Sequence, residues 1–304
     1  MWFKNIRFYR FRQPFNLTPD ALEKYLAPLA FNSCPSHQPF SIGWVPPMGR
    51  HGSSLVHSAN GNIMLTMAKE ERILPGAVVN AEVDKKVIEI QDKESRKVGR
   101  KEKQEIKDEV TMAMLPKAFT RMSKVSLYIA PQDNWMVIDA SSANKADEVI
   151  ALLRKALGTL AIYPPNVKHA PTAMMTSWLK GNDIPSGVGI GESCELKSAD
   201  EEESTVRCSK QDLMADEVKN HIECGKMVTK LQLNYQDHID FVLQDDMSVR
   251  RIKFADDITK ELDDLESDDV AGRFDAEFSI MTLELNPLLT SLLDWFGGEE
   301  EQPV

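Results

Sequence analysis

Hydrophobic and polar positions follow two periods along this chain of 304 residues, and the changes of period mark its elements. The aromatic-rich stretch Trp2 to Phe11 predicts a strand. Thr18-Pro19-Asp20 then opens a helix. Thr18 caps it, Pro19 suits the first turn, and Leu22, Leu26 and Leu29 follow at helical spacing. Cys34 to Ser54 is dense in Pro, Gly and Ser and reads as loop. Asn60-Gly61 marks a turn before a short buried strand, Asn62 to Ala68.

From Val78 to Val110 the period is helical, with Val79, Val83, Val87 and Ile90 on one face and Ile106, Val110 and Met114 resuming the stripe. Gln91 to Glu105 is almost wholly polar. Two antiparallel helices turning near Val98-Gly99-Arg100 keep that stretch in water. Leu115-Pro116-Lys117-Ala118-Phe119 ends this arm. Strands follow at Val125–Ile129 and Trp135–Ile138, and a helix at Lys145–Leu157, stopped by Gly158. Tyr163-Pro164-Pro165 reads as a linker.

The second half opens with a helix near Thr172–Lys180. Strands follow at Cys194–Leu196 and Thr205–Cys208, and a helix at Asp216–Cys224. A meander comes next: Lys226–Tyr235, His238–Leu243 and Ser248–Phe254. Regular alternation puts Met227, Leu231, Leu233 and Tyr235 on one face, and Lys226, Val228, Lys230, Gln232 and Asn234 on the other. Lys226 and Lys230 would then lie about 13 Å apart on one face, a spacing that can follow a phosphate backbone. On the third strand Ile252 and Phe254 face inward, and Arg251 and Lys253 outward. A last apolar stripe, Phe278, Met281, Leu285, Leu288 and Leu292, predicts helices that close the fold. Asp256-Asp257, Asp263-Asp264, Asp268-Asp269 and the tail Glu299-Glu300-Glu301 read as solvated acids.

These elements imply an α+β fold of antiparallel sheets with packed helices and a protruding helical hairpin. The expected divisions are an N-terminal α+β region (1–76 and 115–163), the hairpin arm (77–114), and a C-terminal α+β region (164–304) with an acidic helical end. No apolar run is long enough to span a bilayer, and Lys4, Arg7, Arg10 and Arg12 break up the N-terminus, so a cytoplasmic location without membrane partners is expected. Cys34, Cys194, Cys208 and Cys224 form no C-x-x-C pair and read as free thiols, most of them buried.

Charge changes the picture. The net charge is −11, yet residues 1–180 hold 25 Lys+Arg against 17 Asp+Glu, while residues 181–304 hold 11 against 30. A basic half joined to an acidic one points to a polyanion-binding surface. Lys117, Arg121 and Lys124 fall at helix-like spacing beside Phe119, with no acid nearby in sequence, and form the leading basic patch. Lys93, Arg96, Lys97, Arg100, Lys101, Lys103 and Lys107 stud the arm, but Glu94, Glu102 and Glu105 interleave them as on a solvated helix. Phe119 and Met122, flanked by cations, suit an oligomer contact. The alternative is that Phe119 caps the core where the arm rejoins it.

Catalytic chemistry is thinly represented. Gly187-Val188-Gly189-Ile190-Gly191 lacks the spacing of a dinucleotide fingerprint and the Lys-Ser/Thr of a Walker loop, and reads as a turn. His221-Ile222-Glu223-Cys224 has no second ligand pair for zinc. No G-x-S-x-G is present. Asp183 with Glu195-Leu196-Lys197 has the outline of a metal-dependent nuclease, in which two carboxylates hold Mg²⁺ and a lysine positions water. That is the enzymatic alternative. Otherwise no catalytic residue, cofactor or metal is assigned.

Several segments together resemble one family. They include Trp2-Phe3-Lys4-Asn5, Gly43-Trp44-Val45-Pro46-Pro47-Met48-Gly49, Ala59-Asn60-Gly61, Arg72-Ile73-Leu74-Pro75 and Leu115-Pro116-Lys117-Ala118-Phe119. Further on come Lys210-Gln211-Asp212-Leu213, His221-Ile222-Glu223, Val228-Thr229-Lys230-Leu231 and Arg273-Phe274-Asp275-Ala276. In this order and spacing they resemble the RdgC family of recombination-associated proteins. The resemblance implies a ring-shaped homodimer that encircles duplex DNA with little sequence preference. It also implies a nucleoid-associated protein that restrains the RecA recombinase and is linked to replication-fork repair. Lys117, Arg121, Lys124, Lys210, Gln211, Lys226 and Lys230 are the expected DNA contacts and Phe119 the expected dimer contact. Single-stranded DNA is a further candidate ligand.

Overall fold

The computed structural model describes residues 2–198, 204–260 and 269–300. In chain order the first elements are strand β1 (Ile6–Phe11), helix α1 (Pro19–Leu26) and strands β2 (Phe40–Val45), β3 (Val56–Ala59) and β4 (Asn62–Arg72). Helices α2 (Gly76–Glu94) and α3 (Arg100–Met114) follow, then β5 (Thr120–Ala130), β6 (Trp135–Asp139), α4 (Ala143–Leu157) and β7 (Ile162–Tyr163). The remainder comprises α5 (Pro171–Leu179), β8 (Val188–Ser198), β9 (Thr205–Ser209), α6 (Asp216–Glu223), β10 (Lys226–Tyr235), β11 (Ile239–Gln244), β12 (Val249–Phe254), α7 (Asp256–Lys260) and α8 (Val270–Trp295).

The strands join one sheet in the order β2-β4-β5-β6-β1-β12-β11-β10-β8-β9, with β3 on β4 and β7 on β1. Every strand pairing is antiparallel, as expected for this α+β class. β1 stands between the two runs of strands, pairing along β6 and meeting β12 at Ile6–Val249.

Parts of β4, β5 and β6 are buried on both faces, which explains their nearly unbroken apolar runs. On β5, Val125, Leu127 and Ile129 enter a core with Leu22 and Leu26 of α1 and Val149 and Leu153 of α4. Tyr128 and Ala130, on the opposite face, join a second core under α8. The meander strands β10, β11 and β12 bury one face only, against α5, α6 and α8, and so alternate in sequence. The stripe Phe278, Met281, Leu285, Leu288 and Leu292 is buried on α8 as predicted. α2 and α3 pack on each other through Val79, Val83, Ile106 and Val110, a small cluster apart from the main cores.

Local signals held where they were chemical. Thr18 Oγ1 accepts from the Ala21 amide, and Asn60 and Gly61 turn with φ of +47° and +76°.

Four readings are corrected. The Cys34–Ser54 stretch contains β2, where Gly43 lies so close to Phe31 that an added Cβ would sit 2.5 Å from the Phe31 Cα. The Gly187–Gly191 run turns only at Gly187 (φ +75°) and continues as β8. Asp269 is no mere surface acid, since its carboxylate accepts from the Gly272 amide and caps α8. Glu299 does not trail in water: it receives a 3.1 Å bond from Arg10 Nε, and its backbone bridges to Val167. Asp263, Asp264, Asp268 and Glu301 lie outside the described residues.

Candidate nucleic-acid interface

The Lys117–Lys124 patch is built differently from its helix-like spacing. Lys117 ends a 3-10 turn, whereas Arg121 and Lys124 lie on β5. Three residues apart on a strand, they project from opposite faces. Antiparallel pairing sets Glu71 directly opposite Arg121, and the two form a salt bridge. The acid absent from the local sequence is thus supplied by β4. Lys117 and Lys124 are exposed, with no carboxylate partner among the described residues.

Phe119 is 85% exposed, although its carbonyl is held by the Ile73 amide at 2.7 Å. It therefore does not cap the core of the single chain. Met112 and Met122 are also exposed large apolar side chains of this region. On the arm, Arg96 is spent on Glu94 and Glu102, and Lys103 bonds Asp84 at 2.8 Å. The Glu102 carboxyl is held below its ordinary value, chiefly by its hydrogen bond from Arg96.

In the second half, Lys210 occupies a left-handed position (φ +57°) just after β9 and is exposed. Gln211 follows it, with its amide directed at the Glu192 carbonyl. Lys226 and Lys230 do not share the even alternation expected of them. The β8–β10 register shifts between Val228 and Lys230, so that Val228, paired with Leu196, joins Leu231 in the core. This bulge at Thr229 separates the face of Lys226 from that of Lys230. Lys226 Nζ hydrogen-bonds Ser204 Oγ. Lys230 Nζ lies 3.0 Å from Glu195 Oε1, and Arg207 Nε donates to Glu195 Oε2 at 2.7 Å.

Glu195 is 5% exposed. Burial raises its carboxyl, but the bonds from Arg207 and Lys230 outweigh burial and leave it below its ordinary value. Its two oxygens are committed to these two cations and not to Asp183 or Lys197, so the nuclease constellation is not assembled around it. Among the described residues no group of three or more His, Cys, Asp or Glu side chains is placed to hold a metal ion.

Cys194 faces Cys208 across β8 and β9, and burial, reinforced by Cys208, pushes the Cys194 thiol up to about 12. All four cysteines are free, but only Cys34 and Cys194 are buried. Sequence reasoning missed Arg207 and the bulge at Thr229, because strand register leaves no mark in a single sequence.

A family model described as "Putative exonuclease, RdgC" matches residues 1–299. The chain is similar to the "Recombination-associated protein RdgC" of Aeromonas hydrophila subsp. hydrophila, with 44% identity covering 99% of each chain. It is 41% identical to the protein of that name from Tolumonas auensis, over 99% of this chain and 100% of the other. With that of Yersinia enterocolitica it shares 39% identity over 99% of each. No helix among the described residues is long and apolar enough to cross a membrane.

Proposed function

Because the chain belongs to the RdgC family, whose curated relatives are named recombination-associated proteins, we propose that it is a non-catalytic, sequence-tolerant DNA-binding protein. In this reading it encircles duplex DNA as a ring-shaped homodimer on the nucleoid and limits access of the RecA recombinase during recombination and fork repair. The observation that carries the reading is the set of exposed lysines, Lys117, Lys124 and Lys210, without carboxylate partners among the described residues of a protein with net charge −11. In so acidic a chain, unneutralised cations on the surface suit phosphate contacts, which position a duplex without reading its bases.

Arg121 and Lys230 are contacts of a second kind, already neutralised by Glu71 and Glu195, and contribute only if DNA displaces those carboxylates. Phe119 supplies the apolar anchor of one dimer contact, with charged residues as its rim. The two-helix arm of α2 and α3 is the protruding hairpin, set within an N-terminal α+β region that is joined to the C-terminal α+β region through the shared sheet.

The test is topological. A closed ring holds covalently closed circular duplex through a salt challenge that strips the same DNA once linearised. Equal loss from both forms would reject encirclement.

A further inference from the structure

The polar face of β8 to β12 carries a cavity of about 600 Å³. Among the described residues four cations line it, Arg207, Lys230, Arg250 and Arg251, against one carboxylate, Glu195. Two irregularities of the sheet converge here. The bulge at Thr229 directs Lys230 toward Glu195. A second register shift, between Asp240 and Val242 of β11, leaves an extra residue on β12, with Arg251 at φ +51°. In a regular strand Arg250 and Arg251 would point to opposite faces, but here both reach the same cavity. A non-glycine residue held in the left-handed region is a strained feature that tends to accompany function.

Arg250 and Arg251 are positioned without an ion pair among the described residues, and Arg207 and Lys230 share one carboxylate, Glu195. Glu195 fixes Arg207 through its Nε alone and leaves the outer guanidinium nitrogens free to donate. Arg250 is held by uncharged groups, Ser248 Oγ at 3.3 Å from Nε and the Ser141 carbonyl. The nearby Asp246 carboxylate is bonded to Arg7 at 2.6 Å. Burial, then the Arg7 cation, press the Arg250 guanidinium below its ordinary value. Arg251 makes no ion pair among the described residues, and its amide donates to Asn5 Oδ1.

We infer that this cavity binds a phosphate monoester, either a mononucleotide or the terminal phosphate of a nucleic-acid strand. A surplus of three positive charges suits a group carrying close to two negative charges, where an internal phosphodiester carries one. The volume matches a small-ligand site and is too small for a duplex. Asn5, Ser193 and Gln244 in the wall offer uncharged partners for a sugar. The strand-end form of the ligand rests on the DNA-binding reading above, whereas the mononucleotide form does not.

The experiment is calorimetric titration of the full chain with deoxyadenosine 5′-monophosphate, deoxyadenosine, and a short single strand bearing a 5′-phosphate, a 3′-phosphate or hydroxyl ends. A phosphorylated probe should bind at least tenfold more tightly than its hydroxyl counterpart. Arg251→Gln and Arg250→Gln should each erase that preference while leaving the melting temperature and the affinity for closed circular duplex, which has no ends, unchanged. A mononucleotide that binds as well as the phosphorylated strand identifies the free nucleotide as ligand, and a gain confined to strands identifies the strand end. Equal binding of phosphorylated and hydroxyl probes, or a preference that survives both substitutions, overturns the assignment. If closed circles fail to bind wild-type protein, the DNA-binding reading falls, and the mononucleotide titration still decides the cavity.

Discussion

Replacing Phe119 by Ser separates a surface anchor from a core residue. Full burial of a phenylalanine side chain contributes about 1.5–3 kcal/mol. At 85% exposure the single chain realises roughly a sixth of that, so Phe119→Ser should cost the isolated fold about 0.5 kcal/mol or less. For a chain of this size that is a shift in melting temperature of about 1–2 °C. A dimer contact that covers the ring withdraws the rest, about 1.3–2.5 kcal/mol per copy, or for the two copies of a homodimer roughly eighty- to several-thousandfold in the stability of that contact. The lifetime of the protein on closed circular duplex should shorten by about this factor, while its lifetime on linear duplex stays the same. Thermal melting and retention on the two DNA forms read both quantities. A fall in melting temperature above about 5 °C without selective loss from circles would rule out the dimer contact, because Phe119 would then be supporting the fold.

Other consequences follow from single contacts. Glu195→Gln leaves Arg207 and Lys230 without their shared counter-charge. Arg207 is largely solvated, so the loss should be about 1–2 kcal/mol by denaturant titration, and an unchanged midpoint would show the pair to be inert. The Glu195 carboxyl lies below its ordinary value of 4.5 in the folded protein. Its stabilising contribution is therefore complete above that pH and is lost as pH falls through and below it. The wild-type acid limb should be steeper than that of Glu195→Gln, and superimposable limbs would contradict the assignment. Gly43→Ala forces a Cβ against the Phe31 backbone, which cannot rotate away, and should destabilise by about 1–3 kcal/mol, whereas an unaltered unfolding midpoint would show that the β2 edge yields freely.

The parts of the fold that were legible in sequence are those set by local chemistry or by a single buried face. Thr18 at a helix cap, the Asn60-Gly61 turn and the α8 stripe needed no long-range information. β2 was hidden because Gly43 and its neighbouring prolines read as loop, although the glycine serves the close approach of Phe31. The basic positions were visible as residues but not as a site. Glu71 is 50 positions from Arg121 and Glu195 is 35 from Lys230, and only strand register brings each pair together. The bulges that part Lys226 from Lys230 and gather Arg250 with Arg251 arise from that same register.

In the proposed function, exposed lysines hold DNA through its phosphates without reading sequence. The most direct measurement is affinity for several unrelated duplexes as a function of salt, for wild-type protein and for the combined substitution Lys117→Ala, Lys124→Ala and Lys210→Ala. The expected result is one common salt slope for all sequences, reduced in the variant by about 0.9 for each phosphate contact removed. A slope unchanged by the three substitutions, or affinities separated by the roughly 1–3 kcal/mol per base pair of a sequence reader, would contradict it.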